Sequence, residues 1–307
     1  MSYEFRLQTL SDAVQRVGRH AVEYCNSAAP DARTIVLNTY RSAHATPDSP
    51  IVLVQHGVMR NGEDYRDFWM PAADEHGLVI IAPTFSDEQW PDVVSYNNGN
   101  LLATTDRAAL ADTAAATAPD TWSYTVVTRL VDDLKTSGVL ADQALYLFGH
   151  SAGGQFVHRL MSVLTPGVFT QVVAGNPGWY TLPLLELPFP EGLGGTPATV
   201  DSLARLFASP LTILAGDQDT VTNDPNLPSE PAALRQGSHR YARALNYYAT
   251  ARAEATRRGL PFHWQLHTVG GIGHDGKAMS AVCAHLWFHH RLPDSAQLVA
   301  LAGQHKA

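Results

Sequence analysis

The chain is short of cysteine: two in 307 residues, Cys25 and Cys283. That is too few for a disulfide framework, so a core has to hold the fold, and both thiols are expected as small, reduced core residues. Long apolar runs are missing too. No stretch approaches the roughly 18 uninterrupted apolar residues that cross a bilayer. The opening MSYEFRLQTLSDAVQRVGRH is polar and reads as helical, without the apolar centre of a signal peptide, so the protein reads as cytoplasmic and as having no membrane partner. Positive charge is also scarce, with 21 Lys and Arg against 29 Asp and Glu and a formal charge of −8. The basic residues are scattered, and ARAEATRRG (251–259) reads as the solvated end of a helix. Nucleic acid is therefore not an expected partner. GDQDTVTNDPN (216–226) is rich in oxygen ligands but lacks the glycine and final glutamate of an EF-hand loop. No HExxH and no Cys/His cluster proposes zinc, and no GxGxxG follows an early strand. The expectation is no metal and no cofactor.

What is present is apolar residue, 45% of the chain, enough for a large core. Runs of it recur at 34–40, 50–57, 78–85, 144–151, 170–178, 211–219 and 262–270. Several are apolar on both faces, as strands covered by helices on both sides should be. Helical patterns alternate with them. The longest, 231–259, is interrupted near Gly237, and GKAMSAVCAHLWFHHRL (276–292) closes the series. This alternation predicts an α/β fold with a mostly parallel central sheet and helices on both faces. With no repeat and no linker, residues 1–307 read as a single domain, and nothing in the sequence specifies an oligomeric state. Two segments break the alternation, 86–120 and 177–208. Both are too long and too rich in Pro, Gly or Asn for plain connections and read as lid-like insertions beside a site. Trp179, Tyr180, Leu182 and Phe189 of the second call for burial.

The run LYLFGH ends in GHSAG (149–153), which fits G-x-S-x-G, a turn that exposes a serine between a strand and a helix. Such a short pattern arises by chance, but here a strand pattern runs into it and an amphipathic helix follows at once. Serine is a poor nucleophile at neutral pH and needs a base, which in turn needs an orienting carboxylate. Downstream, LTILAGDQDT ends a strand in two aspartates, Asp217 and Asp219, and HTVGGIGHDG carries His274 on a glycine-rich turn. His289 and His290, at a helix end, read as surface residues.

QHGVMRNGEDYRDFW, APTF, GHSAGG, GDQDT and GIGHDG together resemble the α/β-hydrolase-fold serine esterases over nearly the whole chain. The likeness is strongest to the polyhydroxybutyrate-depolymerase-like and feruloyl-esterase-like branch. It implies Ser151 as nucleophile, His274 as general base and then acid, and Asp219 as the orienting carboxylate, with Asp217 as runner-up. Asp275, next to the base, is badly placed to orient it. The Ala152 N–H and the Val58 N–H, after His56-Gly57, are implied as donors to the oxyanion. Arg60 and Asn61 either hold that loop or touch substrate. Trp90, Trp179 and Tyr180 are candidate walls for an acyl group. The expected function is hydrolysis of a small-molecule or oligomeric carboxylic ester through an acyl-enzyme. Acyl transfer or peptide cleavage by the same triad is the alternative, and a non-catalytic binding protein on this fold is the more distant one.

Overall fold

The structure is a computed structural model that describes residues 2–25, 32–103 and 116–303. Among these, the chain runs α1 (Tyr3–Gln15), β1 (Gly18–Tyr24), β2 (Ile35–Arg41), β3 (Ile51–Gln55), α2 (Gly62–His76), β4 (Val79–Thr84) and the short α3 (Asp92–Ser95). After a 3-10 turn (Pro119–Thr121) follow α4 (Ser123–Thr136), β5 (Leu145–His150), α5 (Ala152–Val163), β6 (Gln171–Gly175), α6 (Val200–Phe207) and β7 (Leu211–Gly216). The chain closes with α7 (Pro231–Gln236), α8 (Arg240–Arg258), β8 (Gln265–Val269), α9 (Gly276–His289) and α10 (Ser295–Gly303).

The eight strands form one sheet in the order β1-β2-β4-β3-β5-β6-β7-β8. Strands β3 to β8 run parallel, while β2 pairs antiparallel with both β1 and β4. This is the mostly parallel, doubly covered sheet that the apolar runs predict. In β3 and β7 every residue is buried, because side chains alternate between two covered faces. Leu53, Leu147, Val172 and Ile213 join α1, α4, α5, α6 and α8 on one side. Val52, Val54, Phe148 and Leu214 join α2 and α9 on the other, around Trp69, Met279 and Trp287.

The N-terminus departs from its helical expectation after Gln15. Residues 18–24 form β1, an edge strand whose exposure alternates along GRHAVEY. Half of that strand faces water, so it lacks the apolar run by which the other seven are recognised. The long helical stretch does break at Gly237 (φ 147°), dividing α7 from α8. Cys283 is fully buried, but Cys25 is only half-buried, since it leaves the sheet at the end of β1. No helix among the described residues is long and apolar enough to cross a membrane.

Helix α5 is buried along all twelve residues, including Gln155, His158, Arg159 and Ser162. The two irregular segments explain how. Arg159 donates to the Asn97 carbonyl (3.0 Å), Asn98 Oδ1 (2.7 Å) and Thr181 Oγ1 (2.9 Å), and Asn97 Nδ2 donates to Gln155 Oε1 (3.0 Å). His158 Nε2 accepts from the Thr181 N–H at 2.9 Å. Residues 182–194 fold back on their own carbonyls, with Glu191 paired to Arg235. The segments expected as lid-like insertions, 86–120 and 177–208, are thus tied to α5 through Asn97, Asn98 and Thr181. Residues 104–115 of the first segment lie outside the described residues.

Candidate active site

Ser151 sits between β5 and α5 with φ 58° and ψ −118°, a backbone conformation that L-residues seldom adopt. Its surroundings hold it there. The Ser151 N–H donates to the Gly175 carbonyl (2.9 Å), and the Ser151 carbonyl accepts from the Gln155 N–H (3.0 Å) as α5 begins. Gly149 and Gly153 are required by contact: a Cβ on Gly149 would strike the Gly153 carbonyl, and one on Gly153 the Gln55 carbonyl. Strand β5 lies between β3 and β6, so the serine emerges at the middle of the sheet's carboxyl edge.

The turns after β7 and β8 reach the same edge. Asp219 follows β7, with its N–H on the Gly216 carbonyl at 3.1 Å. His274 follows β8, with Nδ1 2.7 Å from Asp219 Oδ2 and Nε2 3.0 Å from Ser151 Oγ. An ionised carboxylate only accepts, so it fixes the proton on Nδ1 and leaves the Nε2 lone pair facing the serine hydroxyl. The Asp219 side chain is 1% exposed and that of His274 27%, so the acid is dry and the base lies near the rim. The other carboxylates point elsewhere. Asp217 Oδ1 accepts from the Gly271 N–H (2.8 Å), and Asp275 caps α9 through the Ala278 N–H (2.9 Å).

The sequence patterns gave no sign of several residues that position this group. Asn176, at the end of β6, accepts from the Gly216 N–H (2.9 Å) and donates to the Gly273 carbonyl (3.0 Å), tying the acid's turn to the base's turn. Arg240, 1% exposed, places Nη1 3.6 Å from Asp219 Oδ1 while Nη2 pairs with Asp224 at 2.7 Å. His150, the variable residue of the serine motif, lies with its ring 4.7 Å from that of His274 and bonds the Tyr65 hydroxyl through Nδ1 (2.9 Å). Burial, then the neighbouring His274 and Arg240, keeps the His150 pKa well below the ordinary value, so no second positive charge arises behind the base. The only sequence signal was placement: His150 ends a strand, Asn176 follows one, and Arg240 opens a helix.

Val58 lines the cleft at Ser151 and Ala152 follows the serine in the chain, and the N–H groups of both have no hydrogen-bond acceptor among the described residues. Ala152 opens α5, where backbone donors are free by helix geometry and the dipole favours negative charge. For Val58 the neighbouring side chains decide the orientation. The Gly57 carbonyl is held by His56 Nδ1 (2.8 Å) and the Arg60 N–H (3.3 Å), and a trans peptide then turns the Val58 N–H the opposite way. His56 Nε2 accepts from the Phe85 N–H (3.0 Å), and burial pushes its pKa down to about 3. Arg60 holds the loop rather than lining the cleft. It donates to the Phe85, Trp90 and Asp92 carbonyls and lies 4.4 Å over the Tyr96 ring. Asn61 precedes α2, bonds Asp64 and also lines the cleft.

The cleft at Ser151 measures about 280 Å³. Val58, Met59, Tyr65 and Phe68 give it an apolar side, and Asp224, Asn226 and Arg240 a polar one. None of the three aromatic residues expected as walls is among its lining. Trp90 is 2% exposed, with Nε1 bonded to the Thr34 carbonyl. Tyr180 is fully buried and stacked on Tyr247 at 4.4 Å. Trp179 is half-buried, with the Arg159 guanidinium 5.8 Å from its ring. Large aromatic rings gain by burial: Tyr180 and Trp179 pack against His158 and Arg159 of α5, while Trp90 packs edge-on against Phe85.

Sheet, crossings and serine elbow define an α/β-hydrolase fold, and comparison with known proteins identifies the chain as an ester-cleaving hydrolase of that class. It belongs to the family of the poly(3-hydroxybutyrate) depolymerase LpqC from Bordetella parapertussis, with which it shares 55% identity over 97% of its own length and 98% of that chain, at a TM-score of 0.89. A poly(aspartic acid) hydrolase from Sphingomonas sp. KT-1 is 32% identical, covering 88% of this chain and 98% of that one, with a TM-score of 0.79. The bifunctional acetylxylan esterase/xylanase XynS20E of Neocallimastix patriciarum is 22% identical over 156 residues. That match spans 50% of this chain and a fifth of the curated relative, 20% of its length. No family model matches.

Proposed function

We propose that the chain hydrolyses carboxylic esters through an acyl-enzyme on Ser151, with His274 as general base and acid and Asp219 as orienting carboxylate. The observation that carries this reading is His274 bridging Asp219 at 2.7 Å and Ser151 at 3.0 Å. Ser151 Oγ attacks the ester carbonyl as His274 Nε2 takes its proton. The Val58 and Ala152 N–H groups hold the oxygen on which charge develops, an interaction worth about 3–4 kcal/mol per donor in related chemistry. His274 then returns the proton to the departing alcohol, and water repeats the sequence to release the acid.

For the substrate class we favour short hydroxyalkanoate oligoesters. The likeness to a poly(3-hydroxybutyrate) depolymerase supports this, as does an open cleft with an apolar side for chain methyl groups and a polar side for the repeated ester oxygens. Intact-mass labelling with a fluorophosphonate should add one probe to wild type and none to Ser151→Ala. A panel of simple acyl esters, a feruloyl ester and 3-hydroxybutyrate oligomers should show turnover by wild type alone, greatest for the oligomers. Labelling that survives in Ser151→Ala would sink the assignment. Products formed mainly on an added alcohol would make the reaction acyl transfer.

A further inference from the structure

On the helical face that α2 and α9 share, a second group of side chains converges. Glu75 and His76 end α2, and His289 ends α9. One ligating atom from each lies within 4.8 Å of the others. His289 Nε2 is 3.4 Å and His76 Nε2 3.8 Å from Glu75 Oε1. We infer that these three residues form a binding site for a divalent transition-metal ion, with zinc the best fit.

Two imidazole nitrogens and one carboxylate oxygen suit zinc and its borderline neighbours rather than magnesium or calcium, which favour all-oxygen shells. Ligands bound tetrahedrally at about 2.0 Å lie about 3.3 Å apart, so the observed spacings need only small side-chain adjustments. The rings are already constrained. His76 stacks on Phe288 at 4.9 Å, and His285, one turn earlier on α9, packs its ring 4.4 Å from that of His289. His285 is itself anchored, Nδ1 lying 2.9 Å from the Arg291 carbonyl. Helix polarity adds a field. Two helices end here together, and their carboxyl ends carry partial negative charge that favours a cation. With Glu75 and His289 exposed, the ion has a path from solvent, and water can fill the fourth position.

The consequence is mechanical rather than catalytic. The site lies about 16 Å along α2 from Tyr65, and the amino ends of both helices border the Ser151 cleft through Tyr65 and Gly276. A bound ion would clasp α2 to α9 at the far end. Titration of ZnCl₂ into metal-free protein by calorimetry should show one ion per chain with a Kd at or below about 10 μM, and a matching rise in Tm. Glu75→Gln and His289→Ala should each raise Kd about tenfold or more, while their metal-free Tm stays at the wild-type value. Failure to saturate by about 1 mM Zn²⁺, or an unchanged Kd in both variants, overturns the site.

Discussion

At the scale of single residues, the two aspartates after β7 differ by partner rather than by position. Asp219 faces the imidazole and Asp217 faces the Gly271 N–H, although only Gln218 separates them. Asp219→Asn should lower kcat about 10³–10⁴-fold, because an amide can donate to Nδ1 and so select the wrong tautomer. Asp217→Asn keeps an acceptor for Gly271 and should leave kcat near wild type. Steady-state kinetics of the two variants on one ester decide it, and the reverse order would transfer the acid's role to Asp217. Ser151 and His274 were legible because glycines mark the turns that expose them. Arg240, Asn176 and His150 were not. Their partners come from other elements and turns, 16 residues away at the least for Arg240 and Asp224, and no local pattern encodes such a meeting.

At the scale of elements, apolar runs revealed seven strands, most plainly β3 and β7, where every residue is buried. They missed β1, where alternate residues face water. In the insertions, aromatic content signalled burial, but not which surface they would bury. Composition placed them beside a site, whereas the polar side chains of α5 draw their described parts onto that helix. Close approach at the elbow carries its own prediction. In Gly153→Ala the added methyl would overlap the Gln55 carbonyl of β3, so the variant should lose about 2 kcal/mol or more of stability. Gly167→Ala, where nothing lies within 4 Å, should stay within about 0.5 kcal/mol of wild type. Urea denaturation of both compares them, and equal stability would mean that α5 can shift to make room.

At the scale of the molecule, three buried histidines make stability depend on pH. His56, His150 and His158 are held neutral chiefly by burial, His56 down to about 3 and the others well below the ordinary 6.5. In His56 and His158, Nε2 is already an acceptor, from Phe85 and Thr181, so a proton there would also cost a hydrogen bond. The sign follows from the unfolded chain. Below pH 6.5 it takes up protons that the native state refuses, so stability present above that pH is lost as the solution is acidified toward pH 3. Each histidine contributes up to about 1.4 kcal/mol per pH unit, or about 4 for the three together. Tm should therefore fall steadily from pH 7 to pH 4, and a flat profile between pH 7 and pH 5 would contradict native neutrality of these rings. His158→Gln should flatten the slope by about a third.

The complete burial of α5 also ranks the parts of the molecule by how long they resist solvent exchange. Amides of residues 156–163 have sheet on one side and fastened insertions on the other, so deuterium reaches them only when the whole chain opens. The turn that carries His274 is exposed at 270, 271 and 274 and can open by itself. Exchange measured by mass spectrometry in rising urea should find the 270–275 turn labelled while α5 is still protected. Inactivation would then begin with the base drifting from a serine that is still in place.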